Sequence, residues 1–257
     1  MRQHRSIVEA HGDPVECPTE CPTEFYEAEM TDESKPAVLP VDDVFDLLRG
    51  VAALTGSRLV ADIAETLTRH PGAPLANALN HKQVACKSWL IDALAGATDR
   101  RFEHILIAGG WLGTLSAMLL DRLGDRIGHI TTLDIDPLCK SVAETLNRHA
   151  LKAGRFRAVT ADMLTADLAA LADGRGPIDS VINTSCEHLP DVRAWLNRLP
   201  RGLAVVLQSN DYFSEPGHVS SVADLDAFVA QAALSQVDIA DALHLKNYTR
   251  FMLIGRV

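Results

Sequence analysis

From Arg101 onward, short apolar runs alternate with longer segments of helical periodicity. The first five runs are HILIAG (104–109), GHITTLDID (128–136), FRAVTAD (156–162), IDSVINTS (178–185) and GLAVVLQSN (202–210). Strands of a parallel sheet are buried on both faces, so they appear as short continuous apolar runs joined by helices. The alternation therefore predicts an α/β domain in which each of these strands is parallel to the others.

Two further apolar runs, 237–245 and 248–257, close the chain without a helix between them. Only antiparallel strands can be joined by so short a connection, so we expect these two to form a hairpin at one edge. The segment Ala223–Ala233 ahead of them has helical periodicity. Together the runs predict a Rossmann-like, doubly wound sheet of seven strands whose last strand pair is antiparallel.

The part of the chain before Arg101 differs in composition. Residues 1–38 are rich in Glu, Pro, Thr, Asp and His and lack apolar periodicity, which is typical of a flexible tail. Residues 39–96 carry apolar side chains at helical spacing, among them Val44 and Leu48, and predict a helical cap. The expected domains are thus this tail, this cap and a sheet domain spanning 97–257.

The net charge of −10 disfavours nucleic acid as a partner, because proteins that bind phosphates usually present a basic face. Membrane partners are not expected either, since no apolar run approaches the roughly 20 residues of a transmembrane helix. The first residues contain no apolar stretch typical of a signal peptide, so we expect a cytoplasmic protein. A homodimer is compatible with this composition.

The five cysteines are not arranged as a metal site. Cys17 and Cys21 lie in the short repeat CPTECPTE, but no second Cys/His pair with matching spacing accompanies them. We therefore expect free thiols in a reducing compartment and no bound metal.

A glycine-rich turn, AGGWLGT (108–114), follows the first predicted strand. Glycine permits the tight dihedral angles that bring backbone N–H groups and a helix N-terminus close to a ligand. The second strand ends in Asp134, at the distance of about 20 residues that the ribose-binding acid keeps from such a turn. Asp136 is better explained as the N-cap of a helix starting near Pro137.

The turn, the acid and the strand order resemble class I S-adenosylmethionine (SAM)-dependent methyltransferases over Arg101–Val257. The family pattern is acid-x-Gly-x-Gly-x-Gly, and here Ile107 stands at the acid and Trp111 at the middle glycine. The resemblance implies SAM as cofactor. The residues that it implies at the cofactor are Gly109, Gly110, Trp111, Gly113, Asp134, Ile135, Asp162, Met163, Asn183 and, from the cap, Lys87.

Polar side chains follow the fourth and fifth strands, in NTSCEHL (183–189) and LQSNDYF (207–213). The carboxyl ends of strands form the ligand crevice of doubly wound folds, and the resemblance implies that the reacting methyl group lies there. Glu187 or His188 would act as a general base, and Tyr212 would face the sulfonium. The candidate catalytic residues are Asn183, Ser185, His188, Ser209 and Tyr212.

Three functions fit these residues. The first is methyl transfer to a nitrogen or oxygen atom of a small molecule. The second follows from a resemblance to bacterial azetidine-2-carboxylate synthases, in which the α-amine of SAM attacks its own γ-carbon and expels methylthioadenosine; aminocarboxypropyl transfer is a related reaction. The third is a non-catalytic partner subunit. The departures at Ile107 and Trp111 leave all three open, because they concern the contacts of the SAM amino group.

Overall fold

The computed structural model describes residues 40–257, so the tail predicted for residues 1–38 lies outside the described residues. The strands are β1 Phe102–Ala108, β2 Ile127–Asp134, β3 Phe156–Thr160, β4 Ser180–Asn183, β5 Ala204–Asn210, β6 Gln236–His244 and β7 Thr249–Arg256. The helices are α1 Val41–Thr55, α2 Arg58–Arg69, α3 Leu75–Ala78, α4 His81–Ala97, α5 Thr114–Leu123, α6 Pro137–Leu146, α7 Arg148–Lys152, α8 Leu168–Ala172, α9 Val192–Leu196 and α10 Leu225–Ala232.

The strands form one sheet in the order β3-β2-β1-β4-β5-β7-β6. The first five strands along the chain are parallel, and β7 is antiparallel to both β5 and β6. This confirms the predicted doubly wound sheet with an antiparallel last pair. The strand order reverses between β1 and β4, where Ala108 pairs with Asn183. Ligands of open α/β sheets bind at the carboxyl ends of the strands beside such a reversal.

Two apolar layers cover the sheet. On one face Leu90 and Leu119, from α4 and α5, pack with Ile105 and Ile107 of β1. The other face is covered by α9 and α10. Each fully buried aliphatic side chain of this kind contributes about 1.5–3 kcal/mol to folding. The core therefore fixes the strands from which the site residues project.

The helix predicted after the second strand is divided in the structure. The residue at the division is Asn147, which joins α6 to α7. Its amide group donates to the carbonyl oxygen of Ala143 at 2.9 Å and to that of Gly113 at 3.1 Å. This buried side chain thus ties the end of α6 to the glycine turn, a long-range contact that periodicity does not reveal.

The helix α4 is the part of the cap that lies against the sheet. It begins after Asn80, whose side chain accepts a hydrogen bond from Gln83 N at 3.0 Å, as an N-cap residue does. The carbonyl oxygen of Cys86 accepts a hydrogen bond from Gln208 of β5 at 3.2 Å. Trp89 donates to Asp241 of β6 at 3.0 Å. None of the described helices has the length and apolar character needed to cross a bilayer.

Candidate functional site

The glycine turn brings backbone close to side chains at the end of β4. Gly109 has φ +70°, a conformation that favours glycine, and an added Cβ would lie 2.7 Å from Ser185 Oγ and 3.1 Å from Met163 Cε. A Cβ on Gly110 would overlap Thr132 Oγ1. Only glycine fits these two positions without displacing neighbours. The first two residues after β1 therefore pack their backbone directly against Thr132 of β2, Met163 after β3 and Ser185 after β4.

Asp134 is hydrogen-bonded to the backbone of this turn. Its Oδ2 accepts a hydrogen bond from Trp111 N at 2.7 Å, and its Oδ1 accepts one from Asp136 N at 3.1 Å. A carboxylate offers about four acceptor sites, so these two bonds leave acceptor capacity on both oxygens. Trp111 itself has φ 47°, a conformation that is uncommon for residues other than glycine. The turn thus holds a half-buried carboxylate in place at the end of β2.

Three further residues were predicted at the cofactor, namely Gly113, Ile135 and Asp162, whereas Asp136 was predicted as an N-cap. Ile135 is exposed, with 68% of its surface accessible. Asp136 caps α6 by accepting from Leu138 N at 2.9 Å, which agrees with its expected capping role. Gly113 precedes α5 with φ +72°. Asp162 follows β3, and its Oδ1 accepts from Leu164 N at 2.8 Å, so its second oxygen remains available.

Asn183 is buried at the end of β4 and connects its neighbours. Its Oδ1 accepts hydrogen bonds from Ser185 N at 2.8 Å and from Ser185 Oγ at 3.1 Å. Its Nδ2 donates to Met163 Sδ at 3.4 Å. Its amide is therefore engaged within the protein, and in this conformation Asn183 positions Ser185 and Met163 beside Gly109.

A polar cluster lies at the carboxyl end of β5, on the face covered by α4. Asn210 donates to Glu187 Oε1 at 2.8 Å and accepts from Tyr212 N at 2.9 Å. Arg250, opposite Asn210 in the β5–β7 register, also donates to Glu187 Oε1 at 2.8 Å and to the carbonyl oxygen of Thr184. The ion pair is almost fully buried. Among the described residues, Ser209 Oγ, Glu187 Oε2 and Arg250 Nε are buried without a hydrogen-bond partner.

The charge of this cluster is set by its neighbours. Burial acts to lower the pKa of Arg250, but the Glu187 carboxylate offsets this and the pKa is raised overall. Burial, and then the positive charge of Arg250, lower the pKa of Lys87 to about 8. Lys87 Nζ donates to Gln83 Oε1 at 2.6 Å within α4. A buried amine that titrates near neutral pH can lose or gain a proton on binding a ligand.

Aromatic side chains stand beside the polar cluster. Tyr212 stacks on Tyr248 with ring centroids 5.5 Å apart. His218 meets the ring of His188 edge-on at 4.8 Å and that of Tyr212 at 6.1 Å. No sequence pattern marks His218, because it lies in an irregular loop that contains Gly and Pro. Nor does a pattern pair Arg250 with Glu187, which lies 63 residues earlier.

The described cysteines fit the expectation of small, buried free thiols. Cys86, Cys139 and Cys186 are buried and unbridged. Burial is the main cause that raises the pKa of the Cys186 thiol, which makes it a poor nucleophile. Cys17 and Cys21 lie outside the described residues.

No protein-family model matches this chain, and no curated protein matches it. Solved structures match it by fold. The N-methyltransferase NodS from Bradyrhizobium japonicum WM9, in complex with S-adenosyl-L-homocysteine, is 15% identical with a TM-score of 0.52, over 76% of this chain and 98% of that chain. The O-methyltransferase from Bacillus cereus, in complex with the same product, is 17% identical with a TM-score of 0.52, over 85% and 100%.

A putative sarcosine dimethylglycine methyltransferase from Galdieria sulphuraria is 13% identical with a TM-score of 0.51, over 68% of this chain and 86% of that chain. Identities this low establish the fold alone. The strand order and these matches indicate the same fold. The chain has the fold of the class I SAM-dependent methyltransferases.

Proposed function

We propose that this protein is a SAM-dependent transferase that methylates a nitrogen or oxygen atom of a small molecule. The observation that carries the proposal is the glycine turn after β1, whose backbone packs against Ser185 and Met163 and whose Trp111 N–H holds the Asp134 carboxylate at the end of β2. N- and O-methyltransferases of the same fold have been solved with S-adenosyl-L-homocysteine bound, which supports SAM as the cofactor.

The residues around this turn fit SAM. Asp134 keeps acceptor capacity for the two ribose hydroxyls, and the free oxygen of Asp162 suits the adenine amino group. Ile135 and Met163 offer apolar surface to the base. The glycine turn and Lys87 would hold the methionine part. SAM, when bound, supplies an electrophilic methyl group.

The acceptor side would be formed by residues after β4 and β5. His188 is exposed and is the candidate general base for an amine or hydroxyl. The stacked pair of Tyr212 and Tyr248 presents aromatic faces, which attract a sulfonium cation. Ser209 and Ser185 are candidate hydrogen-bond partners of the acceptor. The net charge of −10 favours a small acceptor over a nucleic acid.

A second candidate reaction is favoured by one observation. Ile107, at the place of the family's acid, is buried in the core with 1% of its surface accessible. No carboxylate at this position can then hold the SAM amino group as an ammonium. A neutral α-amine is a nucleophile, and its attack on the γ-carbon forms the N–Cγ bond of azetidine-2-carboxylate. The Cγ–S bond breaks, methylthioadenosine leaves and the amine releases a proton.

Product analysis tests both reactions. The full chain is incubated with SAM alone and with a panel of amines and phenols, and products are identified by mass spectrometry. We expect S-adenosylhomocysteine and a methylated acceptor only when an acceptor is present. Methylthioadenosine with a ring product from SAM alone would replace methyl transfer by the second reaction. If the chain does not bind SAM in calorimetry, both reactions are excluded and a non-catalytic subunit remains.

A further inference from the structure

Three side chains that can ligate a metal converge beside the crevice. Glu187 and His188 lie in the 3₁₀ turn Cys186–His188 after β4, and His218 lies in the loop after β5. One ligand atom from each residue lies within 4.8 Å of the other two. Two imidazoles and a carboxylate from different strand ends therefore share one small volume.

Both imidazoles have Nδ1 beside a backbone carbonyl oxygen, which leaves Nε2 for a metal. His188 Nδ1 lies 3.0 Å from the carbonyl oxygen of Gly217, and His218 Nδ1 lies 2.8 Å from that of Tyr212. A carbonyl oxygen only accepts hydrogen bonds, so Nδ1 carries the proton in each ring and Nε2 carries the lone pair. Metal-ligating histidines almost always donate their second ring N–H in this way.

The carboxylate supplies an independent observation. Glu187 is buried, with 3% of its surface accessible. Its Oε1 is occupied by Asn210 and Arg250, but its Oε2 has no hydrogen-bond partner among residues 40–257. An unpartnered buried carboxylate oxygen is costly and calls for an explanation, and a bound ion is one that fits the two neighbouring imidazoles. Carboxylates that ligate a metal usually also accept hydrogen bonds from neighbouring groups, as Glu187 Oε1 does here.

The backbone fixes the two segments to each other. The carbonyl oxygen of Glu187 accepts hydrogen bonds from Val219 N at 2.9 Å and from Ser220 N at 3.0 Å. Ser220 Oγ donates to the carbonyl oxygen of Cys186 at 2.9 Å. The residue after His218 is thus tied directly to Glu187, so the three side chains are held together before any ligand binds.

We propose that Glu187, His188 and His218 bind a divalent transition-metal ion. Two neutral imidazoles and one carboxylate suit Zn²⁺ or Fe²⁺, whereas Mg²⁺ and Ca²⁺ prefer all-oxygen sites. Ligand atoms about 2.0–2.2 Å from a tetrahedral ion lie ~3.4 Å apart. Small side-chain rotations would bring the three ligand atoms from their present separations of up to 4.8 Å to this distance. Three protein ligands leave a coordination position open, as in catalytic zinc sites.

The open position gives the site a role in recognising the acceptor. The ion would lie after β4 and β5, on the acceptor side of the crevice, and would take an oxygen or nitrogen of the acceptor in place of water. A bound hydroxyl loses its proton to water more readily, and this would replace the general-base role of His188, whose Nε2 would then ligate the ion. This part of the inference rests on the proposed function, whereas metal binding itself does not require SAM.

Zinc binding to the chelator-treated full chain tests the site. Titration with ZnCl₂ in a calorimeter is expected to show one equivalent bound to residues of this cluster. His188→Ala and His218→Ala should each weaken binding at least tenfold, whereas His244→Ala, at an exposed histidine of β6, should not. The visible spectrum of the Co²⁺-loaded protein should change in the same two variants.

The tail needs its own control because it contains Cys17 and Cys21. A Cys17→Ser/Cys21→Ser variant should keep the equivalent of zinc. If this variant loses it, or if His218→Ala binds zinc as the unchanged protein does, the proposal is overturned. SAM binding is measured in the same variants. If the protein binds zinc but not SAM, the proposed function is excluded and the metal site stands. If it binds SAM but not zinc, the metal site is excluded and the proposed function stands.

Discussion

The two halves of the crevice are built by different means. At the ends of β1 and β2, the glycine turn and Asp134 form a site from backbone groups and one half-buried carboxylate. At the ends of β4 and β5, an almost fully buried ion pair between Glu187 and Arg250 supports polar atoms that lack partners. The first half needs close approach of the backbone, and the second needs buried charge held by distant segments.

This difference predicts where each half is vulnerable. In the turn half, Asp134 keeps free acceptor sites on its carboxylate, so replacing it by Asn should alter binding more than folding. In the polar half the charges are buried, so removing one partner leaves the other without its counter-charge and should affect folding first.

Arg250→Met should lower the free energy of unfolding by about 3–5 kcal/mol, because it leaves Glu187 buried without its counter-charge. Urea denaturation measures this difference. Arg101→Met is the matched control, since the Arg101–Glu103 pair is exposed and such pairs contribute about 0–1 kcal/mol. An equal loss in both variants would show that the buried pair has no special part in the polar half.

Asp134→Asn should weaken SAM binding by about tenfold or more, with little change in unfolding. A hydrogen bond to a charged group contributes about 1.5–3 kcal/mol, and this carboxylate is expected to accept two from the ribose. Calorimetry with S-adenosylhomocysteine measures the loss. Asp136→Asn is the control, because Asn is an equally good N-cap for α6. If both variants bind equally well, Asp134 does not hold the ribose.

The turn half was accessible from the sequence because its parts are local. A glycine turn after one strand and an acid at the end of the next lie within Ala108–Asp134, so their order alone predicts their proximity. The seven-stranded sheet with its antiparallel last pair was predicted for a similar reason, since apolar runs and the connections between them indicate the number and direction of the strands. Asn147, which ties α6 to the turn, was not predicted because a helical pattern continues across it.

The polar half was only partly accessible. The strand ends near Asn183 and Ser209 predict polar side chains in this region, but the partners of those side chains come from distant segments. Glu187 pairs with Arg250 across 63 residues, and His218 reaches the cluster from an irregular loop. Such pairings depend on register and loop course, which local patterns do not determine. The roles proposed for Ser185, His188, Ser209 and Tyr212 remain predictions.

Gly109→Ala and Gly154→Ala separate backbone strain from ligand space. Both glycines have nearly the same positive φ, +70° and +69°, so backbone strain alone should cost each alanine about 1–2 kcal/mol of stability in urea denaturation. Gly154 has open space around it, whereas a Cβ on Gly109 must displace Ser185 Oγ and Met163 Cε, so Gly109→Ala should cost more. Because these displaced side chains lie at the expected cofactor site, only Gly109→Ala should also weaken S-adenosylhomocysteine binding. Equal affinities in the two variants would show that the turn at Gly109 does not hold the cofactor.

Lys87 lies in α4 beside the polar half, where burial and then the charge of Arg250 lower its pKa to about 8. If its ammonium binds the ligand carboxylate, affinity for S-adenosylhomocysteine should fall as pH rises above about 8, by at most tenfold per unit. Lys87→Met should remove this part of the pH dependence while keeping the part that belongs to the ligand's own amine.

Without ligand, the pH dependence of stability has the opposite sign to the pH dependence of affinity. The unfolded chain holds this proton up to about pH 10.5, so stability should rise between about pH 8 and 10.5 in the unchanged protein and less in Lys87→Met. Identical pH profiles of affinity in the two proteins would place Lys87 outside the cofactor site and leave the turn half to hold the ligand alone.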